Sequence, residues 1–223
     1  MKPELIEREI CGLRCLCHEA PEKGVSPGIL FLHGAGSRNS MEQLRRNPFF
    51  TAVSRQITDF AVIAPLLVGG SSWFDVFEHL IALSRCAAQE MNCDPDRLTL
   101  MGTSMGGFGS WQLAMSNPDP FCALVPLCGG GTDWSADRLK SIPVHAYHGA
   151  ADTVVDPFYS RKMVDSVNAK GGHAELTLYP GIGHNCWDLA YRDEALFQWL
   201  KSVRRTKSAA DGMNAALGAK NYG

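Results

Sequence analysis

The sequence predicts an α/β protein with a mainly parallel sheet covered by helices on both faces, on three observations. Short apolar runs alternate with helix-periodic segments along the chain. The runs are continuously apolar, as strands buried on both faces must be, and glycine, proline and asparagine punctuate their ends. Strand-like runs occupy residues 29–33, 60–64, 98–101, 123–127, 144–147 and 176–179. Helical periodicity occupies 40–57, 74–91, 105–116, 157–169 and 188–203. The stretch 6–18 adds one or two edge strands. Asn117-Pro118 closes one helix, Asp94-Pro95 separates a helix from a strand, and Pro157 suits a helix's first turn. The glycine pair in 169–173 stops the next helix. With neither internal repeat nor composition break, residues 1–205 read as one domain. The small-residue tail 206–223 is expected to be partly disordered or loosely docked.

Composition narrows the function classes. The 223 residues are 45% hydrophobic and 20% charged, with a formal net charge of -2. This balance offers no electrostatic case for nucleic acid or an acidic membrane surface. The basic cluster at 202–207 ends a helix pattern, where positive charge complements the helix dipole. The N-terminus lacks the apolar core of a signal peptide, and no window approaches a membrane span, so the expectation is a cytoplasmic protein. Its eight cysteines are therefore expected as free thiols, several of them small hydrophobes within strand or helix patterns.

Four motifs carry chemistry. In "LTLMGTSMGGFGSWQLA" an apolar run meets Gly102-Thr103-Ser104-Met105-Gly106, a G-x-S-x-G turn between a strand and a helix pattern. So tight a turn forces strained backbone angles on the serine and excludes bulky neighbours two positions away. The hydroxyl is thereby lifted above the sheet at a helix N-terminus. "ILFLHGAGSR" runs a strand into His33-Gly34 and a small-residue loop. "VHAYHGAADTVVDP" runs another into His148-Gly149, with Asp152 and Asp156 following. "YPGIGHNCW" brackets His184 with Gly181 and Gly183. Histidine titrates near neutrality and can take a serine's proton and return it. An acid behind the imidazole would fix its tautomer. Asp156 precedes a proline and reads as a helix N-cap.

These motifs, in this order and each at a strand's carboxyl end, resemble the α/β-hydrolase superfamily. The likeness is greatest to compact esterases of the dienelactone-hydrolase and phospholipase/carboxylesterase type, including proteins labelled prolyl-oligopeptidase-like. It covers roughly residues 28–203. The resemblance implies a Ser104, Asp152, His184 triad, with Asp152 matching the H-G-x-x-D pattern. It also implies oxyanion donors at the Ala35 and Met105 amides, Gly34 giving the backbone room, and a structural His33 that holds its loop. It implies ester hydrolysis through an acyl-enzyme without a cofactor. The short segment 128–142 leaves little room for a large lid domain, which favours small or soluble esters.

Other readings stand beside this one. Thioesters and small peptides share the chemistry, although the propeller that gates the related peptidases is absent. A non-catalytic ligand-binding protein of the same fold would usually lack a triad member. Trp73, Trp134 and Trp187 are candidates for the substrate pocket. Trp73 either walls it or packs a helix start, and Trp187 is placed to pack under His184. His145, His148, His173 and His184 with Cys128 and Cys186 show no metal-ligand spacing, so no metal is expected. The glycines at 129–131 lack a dinucleotide fingerprint. The expected partner is a small-molecule ester, with a homodimer possible through a sheet edge or helix face.

Overall fold

The computed structural model describes residues 4–19, 22–23, 25–56, 58–70 and 72–205; the tail 206–223 lies outside the described residues. One sheet holds eight strands: β1 (Leu5–Ile10), β2 (Leu13–His18), β3 (Gly28–Leu32), β4 (Ala61–Pro65), β5 (Leu98–Thr103), β6 (Ala123–Leu127), β7 (Val144–Gly149) and β8 (Ala174–Tyr179). Their order in space is β1-β2-β4-β3-β5-β6-β7-β8. β1 pairs antiparallel with β2 and β2 with β4, while every other neighbouring pair is parallel. The segment expected to form edge strands thus gives one edge strand, β1, and one interior strand, β2. Cys15, Leu16 and Cys17 of β2 are fully buried, which is why it lies inside the sheet.

Alternate side chains feed two separate cores. Leu30 and Leu32 of β3 and Ile63 of β4 point into one, which includes Trp73, Leu80 and Trp111. Ile29 and Phe31 of β3 and Val62 of β4 point into the other, which includes Phe49, Tyr191 and Phe197. This division follows from the two-residue period of a strand, and both cores being filled explains the unbroken apolar runs.

The helices are α1 (Met41–Arg45), α2 (Pro48–Gln56), α3 (Phe77–Glu90), α4 (Met105–Ser116), α5 (Phe158–Ala169), α6 (Trp187–Ala190) and α7 (Glu194–Ser202). Two expected single helices are each broken. The first divides at Asn47, whose position before Pro48 disfavours helical angles and whose Oδ1 accepts from Phe49 N at 3.0 Å. The second divides before α7, where Asp193 Oδ1 accepts from Ala195 N at 3.0 Å and starts a new helix. The expected start at 74 is a 3-10 turn, Trp73–Val76, opened by a reciprocal Ser72–Asp75 capping box before α3 begins.

The two arginines of the basic cluster do not serve the α7 dipole. Arg204 and Arg205 lie past the end of α7 and reach Asp94 at 2.9 Å and Asp96 at 3.0 Å, at the turn that opens β5. Among the described residues, no helix is long and apolar enough to cross a membrane.

Phe31 and Phe49 stack with ring centroids 4.0 Å apart, joining β3 to α2 in the second core. Phe31→Ala leaves a cavity there, and urea denaturation is expected to show a loss of about 3–5 kcal/mol.

Candidate active site

The turn at Ser104 is built by close approach. Ser104 has φ 56 and ψ -117, a left-handed setting for a side-chain-bearing residue. A Cβ at Gly106 would stand 1.9 Å from Leu32 O, so only glycine lets α4 lie against the end of β3. Ser104 N donates to Leu127 O at 2.8 Å and Phe108 N donates to Ser104 O at 3.0 Å, holding the turn from β6 and from α4. Below it, the Thr103 and Tyr191 hydroxyls bond at 2.6 Å. Tyr191 was not singled out in the sequence, because its pairing crosses 88 residues.

Three loops at strand carboxyl ends bring Ser104, His184 and Asp152 together. Ser104 Oγ lies 2.8 Å from His184 Nε2, and His184 Nδ1 lies 2.7 Å from Asp152 Oδ2. Asp152 accepts only, so Nδ1 carries the proton and, in the neutral ring, Nε2 faces the serine hydroxyl as an acceptor. Asp152 Oδ1 accepts from Val154 N at 2.8 Å and Val155 N at 3.0 Å. Burial acts to raise the Asp152 pKa, but the His184 bond and the two amides outweigh it and hold the carboxyl below its ordinary range. Ala151 N donates to Ile182 O at 2.9 Å, joining the acid loop to the base loop. A Cβ at Gly149 would meet Gly183 O at 2.1 Å, so this contact too requires glycine. Asp156, the competing acid, accepts from Phe158 N at 2.8 Å at the start of α5.

The loop after β3 is held by His33. Leu67 N donates to His33 Nε2 at 3.1 Å, so the proton of the neutral ring sits on Nδ1, which donates to Gly34 O at 2.7 Å. Complete burial lowers the His33 pKa to about 4, against 6.5 for a free histidine. Gly34 approaches the nucleophile closely: a Cβ there would lie 3.5 Å from Ser104 Cβ. Ala35 opens the 3-10 turn Ala35–Ser37 and Met105 opens α4, so both amides precede the first intrahelical bond.

The three tryptophans part company. Trp73 is fully buried, packs on Gly109 and donates from Nε1 to His33 O at 3.0 Å. It therefore supports the His33 loop and does not wall a pocket, because the carbonyl between two tight turns needs a buried donor. Trp134 is 76% exposed in the 3-10 segment Asp133–Leu139, with its carbonyl bonded by Lys170. Trp187 meets the His184 ring edge-on, with centroids 5.3 Å apart.

Cys128, Asp152 and His184 present ligand-type atoms within 4.8 Å of one another. Each is already committed: Asp152 and His184 to each other, and Cys128 Sγ to His184 O at 3.0 Å. The Cys186 sulfur, 2.8 Å away, and burial hold the Cys128 thiol protonated, which disfavours it as a metal ligand. His148, which opens the H-G-x-x-D pattern and is weighed in the sequence as a metal ligand, lies behind Asp152, with Nε2 3.2 Å from Oδ2.

A doubly covered, mostly parallel sheet with a serine turn, histidine loop and acid loop at the strands' carboxyl ends defines an α/β-hydrolase. A family model described as "Dienelactone hydrolase family" matches residues 74–210, more than half of the chain. The chain belongs to the dienelactone hydrolase family. Among solved structures it is similar to a thermostable esterase at 25% identity and TM-score 0.77, with 92% of this chain and 63% of that one covered. The chain thus spans less than two thirds of that esterase's length. The fold is shared with the protein TT1662 from Thermus thermophilus at 16% identity and TM-score 0.70, covering 91% and 100% of the two chains. It is also shared with esterase PE8 at 19% identity and TM-score 0.67, covering 88% and 99%. A comparison with curated proteins finds no match.

Two measurements check this geometry. Trp73→Phe removes the donor to His33 O while keeping most of the buried ring. It is expected to cost about 1–3 kcal/mol in denaturant unfolding and to lower kcat without raising KM. Unfolded, His33 takes a proton near 6.5; folded, it resists protonation until about 4. The stability of its neutral form is thus complete above 6.5 and drains away as pH falls toward 4, by about 3 kcal/mol. Unfolding free energies measured across that window should slope less steeply in His33→Gln than in the native sequence.

Proposed function

We propose that this protein is a serine hydrolase that cleaves carboxylic esters of small or soluble substrates through an acyl-enzyme. The observation that carries the reading is the continuous path from Ser104 Oγ through both His184 nitrogens to a buried carboxylate, with bonds of 2.8 and 2.7 Å. Ser104 Oγ attacks the ester carbonyl and its proton passes to His184 Nε2. Asp152 stabilises the resulting imidazolium, and the alkoxide leaving group takes the proton from Nε2 as the tetrahedral intermediate collapses. Water repeats the sequence on the acyl-enzyme, with His184 first as base and then as acid.

The Ala35 and Met105 amides serve the oxyanion, at about 3 kcal/mol per donor in transition-state stabilisation. The buried neutral His33 aids this assignment, since it stiffens the loop that carries Ala35 and adds no competing charge. Between β6 and β7 the chain forms only the 3-10 segment Asp133–Leu139, with no inserted lid, and the His184 side chain retains 19% of its exposure. That openness favours substrates that diffuse in as single molecules.

Hydrolysis of 4-nitrophenyl esters from acetate to dodecanoate, by wild type and Ser104→Ala together, tests the reading. The expected outcome is a rate that peaks at short acyl chains and falls by about 10⁶-fold without the serine hydroxyl. Equal inertness of two folded proteins would sink it.

A further inference from the structure

His148 closes β7 with its side chain fully buried. Its Nε2 lies 3.0 Å from Val155 O and 3.2 Å from Asp152 Oδ2, and its Nδ1 lies 2.7 Å from Ser160 Oγ. Val155 O and the Asp152 carboxylate both accept only, so Nε2 must carry a proton. Burial lowers the His148 pKa, which favours the neutral ring and leaves Nδ1 as an acceptor. The Ser160 hydroxyl lies against Nδ1 at 2.7 Å and donates its single hydrogen to Gly129 O at 2.9 Å. The two acceptors at Nε2 thus place the ring's proton there, and the Ser160 hydroxyl packs against the other nitrogen.

We propose that His148 is a positioning residue of the triad: its Nε2–H gives Asp152 Oδ2 a second donor and so sets how strongly that oxygen holds His184 Nδ1. The inference rests on the triad reading above. A histidine that only braced the acid loop would need Val155 O alone, much as His33 braces its loop. Here the same nitrogen also stands 3.2 Å from the oxygen that His184 uses. Three donors bond to Asp152, the Val154 and Val155 amides on Oδ1 and His184 on Oδ2, and the His148 Nε2–H, 3.2 Å from Oδ2, is then the fourth. The Oδ1 bonds hold one oxygen, and His148 aims the other along the His184 ring plane while dispersing part of its charge. The titratable groups around this pair are His184, across Asp152, and the Cys128 thiol, which lies within 4.8 Å of both Asp152 and His184 ligand atoms.

Without His148 the charge on Oδ2 concentrates on its bond to His184. The imidazolium is then favoured, and the acidic limb of the kcat/KM pH profile moves upward. Looser aim at the same oxygen lowers kcat, while KM, set by substrate contacts elsewhere, stays put. His148→Leu keeps an apolar filling but no donor. His148→Gln returns an amide N–H to the position of Nε2. Ser160→Ala keeps the histidine and its Nε2 proton but removes the hydroxyl packed against Nδ1, which loosens the ring and with it the aim of Nε2–H at Asp152.

The experiment is the pH dependence of 4-nitrophenyl acetate hydrolysis by wild type, Ser104→Ala, His148→Leu, His148→Gln and Ser160→Ala. Rates are taken per site labelled by a serine-directed fluorophosphonate. The expected result is a kcat about tenfold lower in His148→Leu, an unchanged KM and an acidic limb displaced to higher pH. Ser160→Ala shifts in the same sense and His148→Gln lies near wild type. Should His148→Leu fail to fold, Ser160→Ala and His148→Gln decide the matter by the same limb. An acidic limb and per-site kcat that match wild type in the folded variants, with hydrolysis still dependent on Ser104, would overturn this inference and leave the triad standing. A wild type that neither labels at Ser104 nor hydrolyses would bring down the triad reading itself, and this one with it.

Discussion

The candidate site depends on one close approach, that of the first turn of α4 to the carboxyl end of β3, where Gly106 lies against Leu32 O. Left-handed angles at a serine cost on the order of 1–3 kcal/mol, so the surroundings must supply more than that. They do so from three sides, through Leu127 O of β6, the Phe108 amide of α4 and the Thr103–Tyr191 hydroxyl pair. Behind the turn, α4 is buried on nearly every face, from Gly106 and Gly107 to Trp111, Leu113 and Met115. A helix enclosed in this way has no lower-energy position to relax into, because moving it would open voids in a close-packed core. The strain at Ser104 is therefore stored by the hydrophobic layer beneath it, and the hydroxyl's position follows from core packing more than from local contacts.

Three histidines stand at the carboxyl ends of the parallel strands β3, β7 and β8, and their surroundings give them different chemistry. His33 has both nitrogens engaged by its own loop and by Leu67 N, with burial keeping it neutral far into acid. His148 is enclosed as completely, but one of its nitrogens meets a carboxylate. His184 alone is partly open, with one nitrogen on that carboxylate and the other on a hydroxyl. Residue type is the same in all three. What differs is which partners accept and which donate, and this decides which imidazole stands between a hydroxyl and a carboxylate.

Much of this was legible in the sequence, for a physical reason. Buried parallel strands leave unbroken apolar runs, and β6 occupies the residues its run marked out, 123–127. A tight strand-to-helix turn leaves glycines at fixed offsets, which exposed Ser104 and the start of α4. Interactions decided in three dimensions were not legible. Trp73 reads equally as pocket wall or packing until the His33 carbonyl is seen to need a donor 40 residues away. Arg204 and Arg205 resemble dipole partners in one dimension, but the chain past α7 extends and delivers them to Asp94 and Asp96. The helix at 40–57 hid its break because Pro48 is as welcome at a helix start as it is unwelcome inside one. Asp152 could be matched by motif, but its link to His148 depends on how the backbone curls between Gly149 and Val155.

The cysteines near the site carry the same logic one step further. Cys128 and Cys186 place two potential nucleophiles close to His184, yet both are fully buried and the Cys128 thiol is held protonated. A protonated thiol in that setting is a small polarisable apolar group and a weak donor. Cys128 uses that donor on the His184 carbonyl, and Trp187 presents its ring edge-on to the imidazole. The base loop is thus gripped through its backbone and through an uncharged face. Ionic grips on the same loop would stabilise one charge state of His184 over the other. Weak, uncharged contacts fix where the imidazole sits and leave Asp152 as the one charge bonded to it.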